Sequence, residues 1–439
     1  MSVLLSAVAQ DRQLGAADRI RGAGTVPGDR LTCCLWALVL FGLTNPFTFI
    51  LTGENPALGS SSDLLTHRRP DFSQLNLYLL RFAMVAAALA LGVGRMTSPG
   101  IAARRLLPLA PFLAWAALTV FWTDAPASTR NALVALGALI LAAFVAAARL
   151  SLEQLARAFI ASIALSALLS LATVVLAPQL GIHQPTDAAQ AIHAGAWRGI
   201  HMHKNALGPL SAVFLSALLF AGRPLIGPLA KWSLVALLAL LVVMSRSALA
   251  IAIIPAAAAT GWIAVRTSAA ARLLAAVFLT LLAVLSLLGL DLLLAGLGRD
   301  TTLTGRTGIW SVAFAFIEQS PLTGFGFRSL SYGGFAYRAA VATGLADPHN
   351  GFLDLALGTG LIGVLLLLGA IVFAFHAAGG AARAGHRAQG AAQLFAAALA
   401  GWLLTNLSET NMQALRAEGA FGFMLLIALL VARPAAHEV

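Results

Sequence analysis

The stretch AKWSLVALLALLVVMSRSALAIAIIPAAAATGWIAV, residues 230–265, holds two apolar runs, 230–244 and 248–265, joined only by Ser245-Arg246-Ser247. Neither run alternates polar with apolar residues as a lipid-facing strand does, so both read as helices. A transmembrane helix needs roughly 20 mostly apolar residues. The two runs are therefore consecutive membrane spans with Arg246 in the turn between them. Similar runs lie near residues 31–51, 75–94, 106–122, 131–148, 155–177, 206–221, 273–296, 351–375, 391–407 and 417–432. The chain is expected to be an all-α, polytopic integral membrane protein with about twelve transmembrane helices.

Composition agrees. Of 439 residues, 59% are hydrophobic and 10% charged, against roughly 25% charged in a soluble domain. The formal charge of +11 would suit nucleic acid, but the excess cations sit in short loops between spans, where they set orientation or meet anionic lipid. No nucleic-acid partner is expected. Cys33 and Cys34 are adjacent at the start of the first span, which suits neither an ordinary disulfide nor a metal cage. Residues 1–30 mix Asp11, Arg12, Asp18, Arg19, Arg21, Asp29 and Arg30 without an apolar core, so they read as a cytoplasmic tail and not as a cleaved signal.

Lys and Arg favour the side of the amino terminus and acidic residues the other, which places both termini in the cytoplasm. A single membrane domain then covers 31–432, with a second tail at 433–439, and the periplasmic face receives two long loops, 178–205 and 297–350. Function concentrates in long loops, so the chemistry is expected to face outward, away from ATP and nucleotide-sugars. There is no Asp-x-Asp pair, no phosphate loop of Gly-x-x-x-x-Gly-Lys type and no Gly-x-Ser-x-Gly elbow. No cofactor and no metal are expected.

The first long loop ends in Trp197-Arg198-Gly199-Ile200-His201-Met202-His203-Lys204-Asn205. Arg198 and Lys204 suit an anionic head group, although plain interfacial anchoring explains the same residues. His201 and His203 would point the same way on an extended backbone, as a metal pair does, but no Cys or acidic cluster completes a site. In the second loop, Ile309, Val312, Ala313 and Phe316 recur at helical spacing, which predicts a short amphipathic helix with Arg306 in its first turn, one turn from Trp310. Backbone N–H groups and the guanidinium could converge there on phosphate; a surface helix with a snorkelling arginine is the alternative. Asp347-Pro348 predicts a helix N-cap followed by proline at the first helical position. His349 then falls in the first turn, where the helix dipole favours a neutral imidazole able to act as general base. A capping or interfacial histidine is equally compatible. Arg81, toward the outer end of the second span, Arg246, and Glu409, closing the eleventh, are ionisable groups at or within the membrane and so functional candidates. Each could instead be half of a structural ion pair.

Gly305-Arg306-x-x-Ile309-Trp310, Pro321-Leu322-x-Gly324-x-Gly326 and His349-Asn350-x-Phe352-Leu353 occur in that order, followed by Gly358-Thr359-Gly360-Leu361-Ile362-Gly363. This series resembles the O-antigen ligase and polysaccharide polymerase superfamily. The resemblance extends over roughly residues 190–410, from Ser245-Arg246-Ser247 to Asn406–Glu409. The segment with His203-Lys204-Asn205 is more similar to the exopolysaccharide polymerase branch than to the lipid A core ligases. The resemblance implies a metal-independent glycosyltransferase of the bacterial inner membrane. Its donor would be an oligosaccharide on undecaprenyl diphosphate, and its acceptor a glycan or the lipid A core. It further implies that Arg306 binds the diphosphate and His349 activates the acceptor hydroxyl. Arg198, Lys204 and Arg246 become diphosphate contacts, Arg81 a further candidate, and His203, Asn205, Asn350, Trp310 and Glu409 supporting residues. His201 has no clear counterpart.

The principal reading is a polymerase of repeat units; a ligase with the same donor is the nearest alternative. A lipid-linked oligosaccharide flippase or other secondary transporter would also fit the span count, and a non-catalytic assembly partner of the export machinery is a third reading; a chain-length regulator and export proteins are the expected protein partners.

Overall fold

The computed structural model describes residues 30–44, 46–47, 72–96, 98–220, 225–266, 268, 270, 306–329, 348–412 and 417–435. Its helices are α1 (Arg30–Leu43), α2 (Phe72–Gly92), α3 (Pro99–Arg105), α4 (Ala110–Leu118), α5 (Pro126–Arg149), α6 (Leu152–Leu176), α7 (Lys204–Phe220), α8 (Pro228–Ser245), α9 (Ala248–Arg266), α10 (Arg306–Gln319), α11 (Gly351–Ala381), α12 (His386–Thr405) and α13 (Ala417–Val431). Among the described residues, β-pairing is confined to two isolated bridges, Ser151 with Arg433 and Ile182 with Trp197.

Among the described residues, seven segments are long and apolar enough to cross a membrane, and Leu31–Leu43, Lys204–Leu219 and Gly419–Val431 are shorter apolar helices. The chain is a multi-pass membrane protein. The expected span 273–296 lies outside the described residues, as do residues 1–29, 436–439 and most of the loop 297–350. Every other expected span overlaps a helix, but two are interrupted. Around 106–122, Pro108 and Pro111 divide the segment into α3, a 3₁₀ turn at Leu107–Leu109 and α4, because proline removes an N–H from the helical ladder.

The second interruption is in α11. At Gly360 the backbone turns to φ 66°, ψ −178°, a conformation open essentially to glycine alone. The break leaves carbonyls and amides without helical partners, which membrane interiors do not tolerate. The Pro321–Gly326 loop supplies them. The amides of Phe325 and Gly326 donate to the carbonyls of Leu357 and Gly358, both at 2.8 Å, and the Leu361 amide donates to the Pro321 carbonyl at 2.8 Å. Trp115 Nε1 donates to the Thr359 carbonyl at 2.8 Å. The two glycine-rich motifs are thus the halves of one backbone lock. Above the break, residues 351–359 form a short helix whose Leu353 and Leu357 pack with Ile309, Trp310 and Ala313 of α10. The amphipathic helix expected there runs from Arg306 to Gln319, with Ile309, Trp310 and Ala313 as its buried side.

α12 is buried along nearly its whole length, with Gly390 to Thr405 wholly enclosed. Lipid tails are as apolar as leucine, so helices associate in membranes through close packing of small residues. A Cβ added to Gly261 of α9 would stand 2.6 Å from Ala397 Cβ, and one added to Gly401 would stand 2.8 Å from Val213 Cγ2. The alanine- and glycine-rich α12 therefore forms the axis of the bundle.

The two ends of the bundle differ. At one end Ser151 caps α6 in a capping box with Gln154. The Leu152 amide there donates to the Arg433 carbonyl at 2.7 Å, and the Ala435 amide to Glu153 Oε2 at 2.9 Å. The other end of α6 carries the loop 177–203 and the candidate site.

Candidate diphosphate and acceptor site

Arg198 pins the loop 177–203. Its side chain is fully buried. Nη1 donates to Asp187 Oδ2 at 2.8 Å, Nε to the Leu180 carbonyl at 2.7 Å and Nη2 to the Gln179 carbonyl at 3.1 Å. Three Arg198 nitrogens thus donate into the loop itself. Sequence alone could not reveal this, since the partner Asp187 lies eleven positions upstream in an irregular segment. Arg198→Ala strands a buried carboxylate, and loss of one partner of such a pair costs about 3–5 kcal/mol. Thermal unfolding of the purified variant should show that loss, whereas a mere substrate contact would leave unfolding unchanged.

The pinned loop docks on its neighbours. The Trp197 amide donates to the Met244 carbonyl of α8 at 2.9 Å. Arg246 follows in the left-handed region at φ 52°. It caps α8, is exposed, and extends Nη1 to 3.5 Å from the Ala194 carbonyl. Lys204 Nζ donates to the Arg246 carbonyl at 3.2 Å, and Asn205 Nδ2 to Glu409 Oε1 at 3.0 Å. Lys204, Asn205, Arg246 and Glu409 are brought together from three chain segments.

Three imidazoles line this mouth. The ring centroids of His183, His193 and His203 lie 4.9–5.7 Å apart, edge to face. His183 Nε2 accepts the Lys204 amide at 3.2 Å, and its Nδ1 lies 3.4 Å from Asp187 Oδ2. His203 Nδ1 accepts the Asn205 amide at 3.1 Å. Burial pushes His183 down to about 4, helped by the Arg198 charge, and His203 down to about 3, helped by its imidazole neighbours and Lys204. Neither His183 nor His193 was singled out in the sequence. The only available signal was the ten-residue spacing of positions 183, 193 and 203.

His201 does not pair with His203. It turns into the bundle, beside a small cavity lined in part by Ser166, Ser170, Ser211 and Phe214, and burial lowers its pKa to about 4. Among the described residues no group of three His, Cys, Asp or Glu is arranged to hold a metal ion.

His349 lies within electrostatic reach of His203. The start of α11 differs from the expected one. Asn350, not Asp347, is the N-cap, its Oδ1 accepting the amides of Phe352 at 2.9 Å and Leu353 at 3.1 Å. Asp347 itself lies outside the described residues. His349 therefore stands just before the helix, at φ 47°, and not in its first turn. Tertiary bonds select this start: the Gly351 amide donates to the Asn406 carbonyl at 2.8 Å and Asn350 Nδ2 to the Leu407 carbonyl at 3.1 Å. Trp310 Nε1 donates to the Pro348 carbonyl at 2.8 Å, tying α10 to the residue before His349. Arg306 opens α10 one turn before Trp310, about 6 Å away along the axis at 1.5 Å per residue; the placement of its guanidinium lies outside the description. Positive φ at a non-glycine residue is uncommon and clusters at functional sites. Arg246 and His349 both carry it here.

Arg81 is placed elsewhere. It is buried in the middle of α2, beside Tyr78 and within electrostatic reach of Arg328, and belongs to the surroundings of the Pro321–Ser329 loop.

Residues 233–368 match the family described as O-antigen ligase. The exopolysaccharide production protein ExoQ of Rhizobium meliloti (strain 1021) is 36% identical over 95 residues, which cover 20% of this chain and 22% of that protein. The aligned stretch spans about a fifth of that relative's length. Taken with the apolar helices, these findings describe a multi-pass membrane protein that carries an O-antigen ligase family match and is similar to the exopolysaccharide branch of that superfamily.

Proposed function

We propose that the chain is an inner-membrane glycosyltransferase. It polymerises undecaprenyl-diphosphate-linked oligosaccharide repeat units into exopolysaccharide or O-antigen at the periplasmic face, without a metal and with inversion. The observation that carries this reading is that Lys204, bonded to the Arg246 carbonyl, and His349, whose Pro348 neighbour is bonded to the Arg306 helix, both lie within electrostatic reach of His203.

In this reading the acceptor hydroxyl oxygen attacks the anomeric carbon from the face opposite the diphosphate. Its proton passes to His349 as the new C–O bond forms. The bond from the anomeric carbon to the diphosphate oxygen breaks, and its electron pair leaves with the lipid diphosphate. Negative charge grows on that leaving group in the transition state, so fixed cations stabilise the transition state more than the ground state. Lys204, Arg246 and Arg306 are assigned that task. Asn205 and Glu409 hold Lys204 in place, Asn350 and Trp310 hold His349, and Arg198 positions the loop.

The family description favours a second reading, ligation to lipid A core. Incubating purified protein with lipid-linked repeat units separates the two: a growing ladder is expected, and a single transfer to lipid A core would replace polymerase by ligase. Activity should persist with a chelator present. Translocation without any new glycosidic bond would overturn both enzymatic readings.

A further inference from the structure

The imidazole cluster has more nitrogen atoms than the loop uses. His183 Nε2 accepts the Lys204 amide, and its Nδ1 lies 3.4 Å from Asp187 Oδ2. His203 accepts the Asn205 amide on Nδ1, so in its neutral form the remaining proton is on Nε2. Among the described residues neither nitrogen of half-exposed His193 makes a hydrogen bond. His193 ends a 3₁₀ turn, and the following carbonyl, Ala194, is the one Arg246 Nη1 approaches. Lys204 lies near enough to act on its charge. His193 and His203 thus both lie within electrostatic reach of Lys204, with His193 next to the carbonyl that Arg246 approaches.

We propose that His193 and His203 are two further diphosphate ligands: His203 as a neutral Nε2–H donor, and His193 as an imidazole that takes a proton from solvent when the anion arrives. This rests on the diphosphate reading of the Lys204–Arg246 site.

The electrostatics support the linkage. Burial and then the Lys204 ammonium hold His193 below its ordinary pKa. The other charges facing the cluster are Arg198 and Asp187 behind His183, Arg246 beside Ala194, His349 beyond His203 and Glu409 next to Lys204. Two or more negative charges placed among them reverse the balance at His193, since an opposite charge within about 4–6 Å favours the charged imidazole. His203 responds differently, because a proton on its Nδ1 would confront the Asn205 amide. A group whose pKa rises on binding makes binding tighter as pH falls, by at most about tenfold per pH unit for one proton.

The test uses the full chain in lipid nanodiscs and a farnesyl-type polyprenyl diphosphate. Calorimetric titrations between pH 6 and 8, in buffers of different ionisation enthalpy, read affinity and proton uptake together. His193→Gln is expected to lose most of the proton uptake and the steep pH dependence. His203→Gln should weaken binding at every pH and keep the slope. The probe's own titration is common to all three proteins, so the comparison isolates His193. Binding with unchanged proton uptake in His193→Gln overturns the inference and leaves the diphosphate reading standing. Absence of binding at every pH overturns both.

Discussion

His349→Asn should reduce polymer formation in membranes by about 10²–10⁴-fold, the usual contribution of a positioned general base, while the protein accumulates and unfolds as the parent does. Asparagine is the informative replacement because it tolerates the left-handed backbone that position 349 adopts, so the loss would be chemical and not conformational. The helix start should survive, since Asn350 supplies the cap for Phe352 and Leu353 and is itself held by Leu407. Asn350→Ala is the contrasting change: it removes the cap, at about 1 kcal/mol, and frees the segment carrying His349, so activity and stability should fall together. Polymer formation by His349→Asn at the parent rate, measured as ladder intensity against protein amount, would remove His349 from the reaction.

The helices were legible because lipid imposes a long, continuous apolar pattern, and α8, α9 and the Arg246 turn stand where that pattern put them. The break in α11 was not, for the same reason: apolar residues continue on both sides of Gly360, and hydropathy does not register a change of φ. The helix start was misplaced by a local rule. Asp347-Pro348 satisfies the usual cap chemistry, yet Asn350 wins because Asn406, Leu407 and Trp310, from distant segments, bond to Gly351, Asn350 and Pro348 in turn. Lys204, Arg246 and Glu409 were recognisable as ionisable groups at span ends. Arg198 looked identical to them in sequence and is separated from them only by its buried bond to Asp187. Irregular loops carry no period, so neither that bond nor the edge-to-face packing of His183, His193 and His203 leaves a pattern to read.

Gly360→Ala should be among the most destabilising single substitutions in the chain, at about 3 kcal/mol or more when backbone strain and lost hydrogen bonds combine. A Cβ at this position falls on the Leu322 carbonyl, which is backbone and cannot rotate away, and the residue must also hold φ 66°. Relieving either conflict separates the Pro321–Gly326 loop from α11 and exposes the carbonyls of Leu357 and Gly358 and the amide of Leu361. The short helix above the break then loses its seat against α10, and with it the relation between Trp310 and Pro348. Gly369→Ala supplies the control. It lies in the same helix with no atom within 4 Å of an added Cβ, so it should be neutral or stabilising by up to about 1 kcal/mol. If Gly360→Ala instead unfolds at the parent temperature and keeps full activity, α11 can run straight through position 360, and the paired glycine motifs do not build the site.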